Sequence, residues 1–237
     1  MTFQAQPMDP KLGSVIKLAV LAVGGQGGGV LTGWVEDVAR ANGYAVQATS
    51  VAGVSQRTGA TVYYMEMAPL SEGMPIFSLM PAAGDVDVMV AAEMMEAGRS
   101  IIRGFVTPDR TTLIASTHRM LAVSEKIEPG NGIANSDEVM AAAGLTAKRF
   151  IAADFEALAV QNGSVISASL LGALAGSGAL PFARQAFEAA IRDLKTFNLR
   201  WPKALRALIT GRYPIEAFRE PIFARSGIKN VIVMDGK

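Results

Sequence analysis

The chain has 237 residues, half of them apolar and 18% charged, with a formal net charge of +1. That is enough for one large core, and the near-neutral, scattered charge argues against a nucleic-acid partner. Cysteine is absent, which excludes disulfides, thiolate catalysis and an iron–sulfur cluster ligated by this chain's own thiolates.

Residues 1–14 are polar and proline-containing, and they are expected to form a flexible N-terminus rather than a signal peptide. No stretch reaches the roughly 18 uninterrupted apolar residues of a membrane span, so the expected location is cytoplasmic. Val15 to Val23 is a short apolar run bounded by turn residues, the pattern of a fully buried, parallel strand. It runs into Gly24, Gly25, Gln26, Gly27, Gly28 and Gly29, where the backbone is free to take positive φ or to approach a neighbour closely. Val30 to Ala41 then carries apolar residues at helical spacing and stops at Asn42-Gly43. Strand, glycine turn and helix open a doubly wound α/β domain, and the helix start turns free N–H groups toward the turn.

Two readings of the turn stand side by side. It could hold an anion, or it could let the helix pack tightly on the sheet. The known nucleotide motifs do not fit: the third glycine of G-x-G-x-x-G falls on Val30 or Thr32, and Thr32-Gly33-Trp34 stands where a Walker Lys would be. The acidic residue expected about 20 positions on is also missing, since the second strand, Ala45 to Val51, carries Thr49 and Ser50 there.

The second strand feeds a glycine-bracketed loop holding Ser55, Gln56 and Arg57, followed by a third strand from Ala60 to Met67. Arg57 with its polar neighbours suits a phosphate or carboxylate, and equally suits a polar connection in which Arg57 pairs with a nearby acid.

Ile76 to Leu79 is expected as a short strand and Val86 to Ala91 as a core strand, the latter followed by a helix from Met94 to Arg103 stopped by Gly104. Asp85 and Asp87 should lie at the opposite end of that strand from Glu93 and Glu96, which disfavours a joint metal site; the two glutamates suit the first turn of the helix. Thr111 to Ser116 is a further strand, ending at Thr117 and His118. The lone histidine, beside Arg119, has the context of a solvated loop residue. A turn at Glu128 to Gly132 precedes a helix capped by Asn135 with Glu138 and ended by Gly144. Lys148 to Ala153 is a short strand and Asp154 an N-cap for a helix to Val160.

Val165 to Leu180 is dominated by small residues, which predicts a helix packed closely in the domain or at a subunit interface. A helix from Phe182 to Lys195 follows, then a short basic helix from Lys203 to Leu208. Glu220-Pro221-Ile222-Phe223 leads to an apolar strand from Val231 to Met234, an arm that docks on a partner or continues into a longer polypeptide. The expected organisation is an α/β domain over residues 15–197, Rossmann-like with a mostly parallel sheet and helices on both faces. A helical extension and C-terminal arm over 198–237 complete it.

The run GGQGGGVLTGWVEDVARANGYAVQATSVAGVSQRTGATVYYMEM and the later Asp-Val-Asp-Val-Met-Val carry a resemblance. They resemble gamma-type subunits of 2-oxoacid:acceptor oxidoreductases, and within them the beta subunits of indolepyruvate oxidoreductases, with Ala22 in place of the first glycine of the family's turn. The resemblance implies a subunit of a complex that oxidatively decarboxylates a 2-oxoacid such as an aryl pyruvate. Thiamine diphosphate and iron–sulfur clusters would sit on partner chains, and electrons would pass to ferredoxin or a similar acceptor. No Gly-Asp-Gly fingerprint for thiamine diphosphate occurs here, and no residue takes a catalytic assignment. The glycine turn and Ser55-Gln56-Arg57 would line an interface or contact an anion. The alternative is a Rossmann-type module binding a nucleotide or other anion.

Overall fold

The computed structural model describes residues 15–51, 61–73, 75–121, 123–127, 129–190, 209–214 and 229–233. The chain divides into two units, Met1–Glu188 and Ala189–Lys237.

The first unit is built on a six-stranded sheet of β1 (Ile16–Ala22), β2 (Tyr44–Val51), β3 (Thr61–Pro69), β4 (Val88–Ala91), β5 (Thr112–Ser116) and β6 (Arg149–Ala153). Their order is β2-β3-β1-β4-β5-β6. β1, β4, β5 and β6 pair in parallel, and β3 runs antiparallel to both β1 and β2, so only β3 opposes the rest. The apolar run of β1 is buried from Lys17 to Ala22 because helices cover both faces of the sheet around it.

Alternation along β1 sends its side chains to two cores. Ala19 and Leu21 join Met89, Ala91, Leu113 and Ala115 beneath α2 (Met94–Ile102) and α4 (Ser136–Thr146). On the other face α1 (Gly28–Ala41) lays Leu31, Val35, Val38 and Ala39 against the sheet and packs beside α6 (Ile166–Ser177). A doubly wound, mostly parallel α/β fold is therefore what forms. Two short α-helices, α3 (Val123–Ile127) and α5 (Phe155–Gln161), and a 3-10 turn at Leu70–Glu72 are also described in this unit. Among the described residues no single helix is long and apolar enough to cross a membrane.

Several expectations need correction. Residues 75–80 form no strand; Ser78 N–H donates to the Glu66 carboxylate at 2.7 Å, and Thr49 and Gln47 donate to the carbonyls of Leu79 and Ser78. Side chains thus hold a segment whose apolar run alone suggested a strand. Gly144 does not end its helix, which continues to Thr146; its φ stays negative and nothing forces a left-handed turn there. Asn135 caps that helix through the Asp137 N–H at 2.9 Å and donates to Glu138 at 3.2 Å. α6 buries one face, Ile166, Ser167, Leu170, Leu171, Leu174 and Ser177, while Gly172 and Gly176 face outward.

The helix expected from Phe182 is seen over 184–190, with Phe182 edge-on to Tyr44 at 5.0 Å between centroids. The proposed helix at Lys203 to Leu208 and the segment Glu220 to Phe223 lie outside the described residues. In the second unit β7 (Ile209–Pro214), which the sequence reading did not anticipate, pairs in parallel with β8 (Lys229–Val233).

Candidate functional site at the carboxyl edge of the sheet

β1, β4 and β5 are parallel neighbours, so their carboxyl ends emerge together, the place where open α/β sheets gather ligands. The glycine turn sits there and its glycines have different reasons to be glycine. Gly25 (φ 95°) and Gly27 (φ 70°) occupy the left-handed region, Gly27 as the N-cap of α1. A Cβ on Gly28 would lie 2.5 Å from Tyr63 Cε2 and 2.8 Å from Ala22 Cβ, so α1 can start against the sheet only without one. Gly24 and Gly25 have nothing within 4 Å of a Cβ position and border open space. The close-packing reading therefore describes Gly28 and leaves Gly24 and Gly25 facing a different environment.

Gln26 is 5% exposed and ties three strand ends together. Its Oε1 accepts the Val23 N–H at 2.8 Å, and its Nε2 donates to the Ala92 carbonyl at 3.3 Å and meets His118 Nε2 at 3.1 Å. The first two bonds fix which end of the amide is oxygen, so His118 Nε2 must accept. The neutral imidazole then carries its proton on Nδ1, 2.8 Å from Ser116 Oγ. Ser116 Oγ also accepts the Phe155 N–H at 3.0 Å, which carries the chain of bonds on to the start of α5. His118 thus lies in the loop after β5 and is half-buried, as the sequence suggested for a loop residue, but its ring is hydrogen-bonded at both nitrogens rather than free in solvent. The missing signal was spatial: Gln26 and His118 are 92 residues apart.

Beside this chain lies a charged cluster. Glu93, 1% exposed, caps α2 by accepting the Glu96 N–H at 2.8 Å, and its other oxygen lies 3.6 Å from Arg119 Nε. Arg119 also pairs with Glu125 of α3 and donates to the Ala134 carbonyl at 2.9 Å, so with Glu93 it joins the segment after β5 to the starts of α2, α3 and α4. Glu96 is buried as well; its Oε1 accepts from Arg99 at 2.6 Å while Oε2 has no partner. Burial pushes the Glu96 carboxyl up to about 7, with Arg99 offsetting part of the shift and the neighbouring Glu93 adding to it.

At the opposite end of β4, Asp85 and Asp87 pair with Lys17 and Arg110; Asp87 accepts from the Lys17 N–H at 2.8 Å and from Arg110 Nε at 2.7 Å. The hydrogen bond to Asp87, strengthened by both carboxylates, holds the Arg110 guanidinium above its ordinary range. The two acidic pairs do lie at opposite ends of the strand. Among the described residues no group of three or more His, Cys, Asp or Glu is placed to hold a metal ion.

Two small clefts flank the glycine turn. One, of about 160 Å³, is lined by Gly25, Gln26, His118, Arg119 and Glu156. The other, of about 310 Å³, lies between the start of α1 and the α5–α6 connection, with Val30, Trp34 and Val165 in its wall. The first turn of α1 has neither a side-chain cap nor an acidic residue, so its N–H groups are available toward this edge. Ser55, Gln56 and Arg57 lie outside the described residues.

The family model for pyruvate ferredoxin/flavodoxin oxidoreductase matches residues 17–212. No curated protein sequence matches the chain. Among solved structures, the chain is similar to the pyruvate oxidoreductase subunit PORC from Thermotoga maritima, at 17% identity and TM-score 0.50, over 76% of this chain and 85% of that one. It is also similar to the gamma subunit of a keto/oxoacid ferredoxin oxidoreductase from Geobacter sulfurreducens PCA, at 14% identity and TM-score 0.49, over 77% and 89% of the two chains. A third is the 2-oxoglutarate:ferredoxin oxidoreductase from Magnetococcus marinus, solved with 2-oxoglutarate, coenzyme A and succinyl-CoA. That match has 14% identity and TM-score 0.49, over 78% of this chain and 27% of that one. The likeness to PORC shows a shared fold.

Proposed function

Because the chain belongs to the pyruvate ferredoxin/flavodoxin oxidoreductase family, we propose that it is the gamma-type subunit of a 2-oxoacid:ferredoxin oxidoreductase complex. The observation that carries this reading is the family match across residues 17–212, which takes in all of the described sheet of the first unit but Ile16. In this reading the complex oxidatively decarboxylates an aryl pyruvate such as indolepyruvate to an acyl-CoA and passes the electrons to ferredoxin or a similar acceptor. The substrate class rests on the resemblance of the glycine turn and the following strands to indolepyruvate oxidoreductase beta subunits.

The residues of this chain do not suit the cofactors of that reaction. It has no cysteine for an iron–sulfur cluster and no thiamine diphosphate fingerprint, so both groups belong on partner chains. What this chain offers is a carboxyl edge joined by hydrogen bonds through Gln26, His118 and Ser116. There the glycine turn, Gly24 to Gly28, would meet a partner surface or an anion, and the same role is proposed for Ser55, Gln56 and Arg57. No catalytic role falls to a residue of this chain.

The test is affinity capture of the tagged full chain from its own cell extract. Captured material is assayed for thiamine diphosphate, iron and CoA-dependent reduction of a dye by a panel of 2-oxoacids. A cofactor-bearing chain should co-purify, with activity only in the complex and kcat/KM highest for aryl pyruvates. Recovery of the chain alone, free of iron and inactive with every 2-oxoacid, would overturn the reading.

A second reading is favoured by the uncapped start of α1 beside open clefts: an anion-binding module of Rossmann type. It predicts thermal stabilisation of the isolated chain by nucleotides, about 2.7 kcal/mol at a hundred times the dissociation constant.

A further inference from the structure

The sequence contains a single histidine, and it is hydrogen-bonded to the glutamine of the glycine turn. We propose that His118 is a proton-operated latch on the glycine turn: the neutral ring holds the turn closed through Gln26, and the protonated ring releases it.

The bonds around Gln26 leave no arrangement that satisfies both protonation states. With the ring neutral, all partners agree: Oε1 takes the Val23 N–H, Nε2 gives to the Ala92 carbonyl, and His118 Nε2 accepts. The turn is closed in return by the Gln26 N–H on the Val23 carbonyl at 3.1 Å. Adding a proton at His118 Nε2 places N–H donors face to face. Rotating the amide by a half turn would give that proton an acceptor. The same rotation sets Nε2 against the Val23 N–H and Oε1 against the Ala92 carbonyl, so one bond is gained and two are lost. Gln26 is 5% exposed, so an unmatched donor or acceptor on it is poorly reached by water and costly. The cheaper response is for the turn around Gln26 to move away. Gly25 and Gly27, both at positive φ, are the adjoining residues with the most backbone freedom to absorb the change.

Nδ1 does not relieve the conflict. It donates to Ser116 Oγ in both states, and Ser116 also accepts the Phe155 N–H. The charged groups around the ring come from three elements. Arg119 follows it in the chain and is paired with Glu125. Glu93 at the start of α2 is engaged with Arg119. On the α5 side Glu156 lines the same cleft, and Asp154 is committed to the Ala157 N–H at 2.8 Å. The β1–α1 turn and α6 contribute no charged group to that cleft. The proton state of His118 thereby sets the shape of the edge that presents the start of α1, and this holds whether a partner chain or an anion meets it.

The experiment is NMR of the full ¹⁵N-labelled chain, in which a single histidine gives one pair of ring nitrogens. At neutral pH the ring should be the Nδ1–H tautomer. On acidification the amide signals of Val23, Gly25, Gln26 and Gly27 should move with the same midpoint as the ring, while those of Gly84 and Gly104 at the far end of the sheet stay put. In His118→Asn the turn amides should no longer follow that transition. An Nε2–H tautomer at neutral pH, turn amides indifferent to the ring, or turn amides that titrate unchanged in His118→Asn would each overturn the proposal. The tautomer and the wild-type titration need no variant, so a His118→Asn chain that fails to fold leaves the test intact.

Discussion

Glu96 offers the sharpest quantitative test of the buried edge, because its carboxyl is 1% exposed and half of it has no hydrogen-bond partner. Burial raises it from 4.5 to about 7. The sign follows from proton binding: between those values the folded chain holds a proton that the unfolded chain has released, so stability falls as pH rises. The full penalty of ionising the buried group is absent below about 4.5 and complete above about 7. At 1.36 kcal/mol per unit the whole effect is roughly 3 kcal/mol, most of which lies between pH 5 and pH 8. Glu96→Gln keeps the shape and an oxygen for Arg99 while removing the ionisation. Its unfolding free energy relative to wild type should therefore improve by roughly 2–3 kcal/mol on going from pH 5 to pH 8. Urea unfolding at several pH values, followed by tryptophan fluorescence and far-UV circular dichroism, measures this. Wild type and variant curves that stay parallel across the range would refute the argument, since they would mean that Glu96 ionises equally easily folded and unfolded.

The glycine turn separates into two kinds of position under alanine substitution. Gly28→Ala forces a Cβ into Tyr63 and Ala22 and should cost about 1–3 kcal/mol in urea unfolding; Tyr63→Leu in the same chain should recover part of that loss. Gly24→Ala meets nothing and should stay within about 0.5 kcal/mol of wild type, so any loss of partner capture in Gly24→Ala reports on the interface rather than on folding. Asp154→Ala removes the acceptor for the Ala157 N–H and should cost about 0.5–2 kcal/mol, most visible as faster hydrogen exchange over α5.

The architecture was legible where local signals agreed. β1 has an apolar run of strand length between turn residues, α1 an apolar stripe ended by Asn42-Gly43, and α5 an aspartate cap, and each lies within a residue or two of its expected bounds. The antiparallel course of β3 was not legible, because β-branched and aromatic alternation is the same in either direction. Residues 75–80 misled for a related reason: the contacts that hold them come from Glu66, Gln47 and Thr49, on strands 12 to 31 residues away in the chain. The turn glycines and Gln26 were visible as a unit, but their division of labour was not, since it depends on Tyr63 arriving beneath Gly28 and His118 beside Gln26.

The two ends of the sheet differ in a way that bears on function. At the amino ends of β1, β4 and β5, Lys17 and Arg110 are matched to Asp85 and Asp87 in a closed set of ion pairs, and the backbone N–H of Lys17 is used as well. Such a set joins strands and leaves little unmet demand for a partner. At the carboxyl ends the buried groups are also joined, through Gln26, His118 and Ser116, yet the first turn of α1 carries no cap and no acid, and Gly24 and Gly25 border open space. A helix start of this kind is left to water or to an incoming acceptor. The wiring beneath it keeps the glycine backbone from collapsing onto its own side chains, because Gln26, the one turn residue from Gly24 to Gly29 with a side chain, is held inward by three bonds. Shape at this edge is set from below by a buried amide, and whatever meets the glycine turn itself encounters main chain. That favours recognition of a carboxylate, a phosphate or a partner's backbone over recognition through charged side chains of the turn itself.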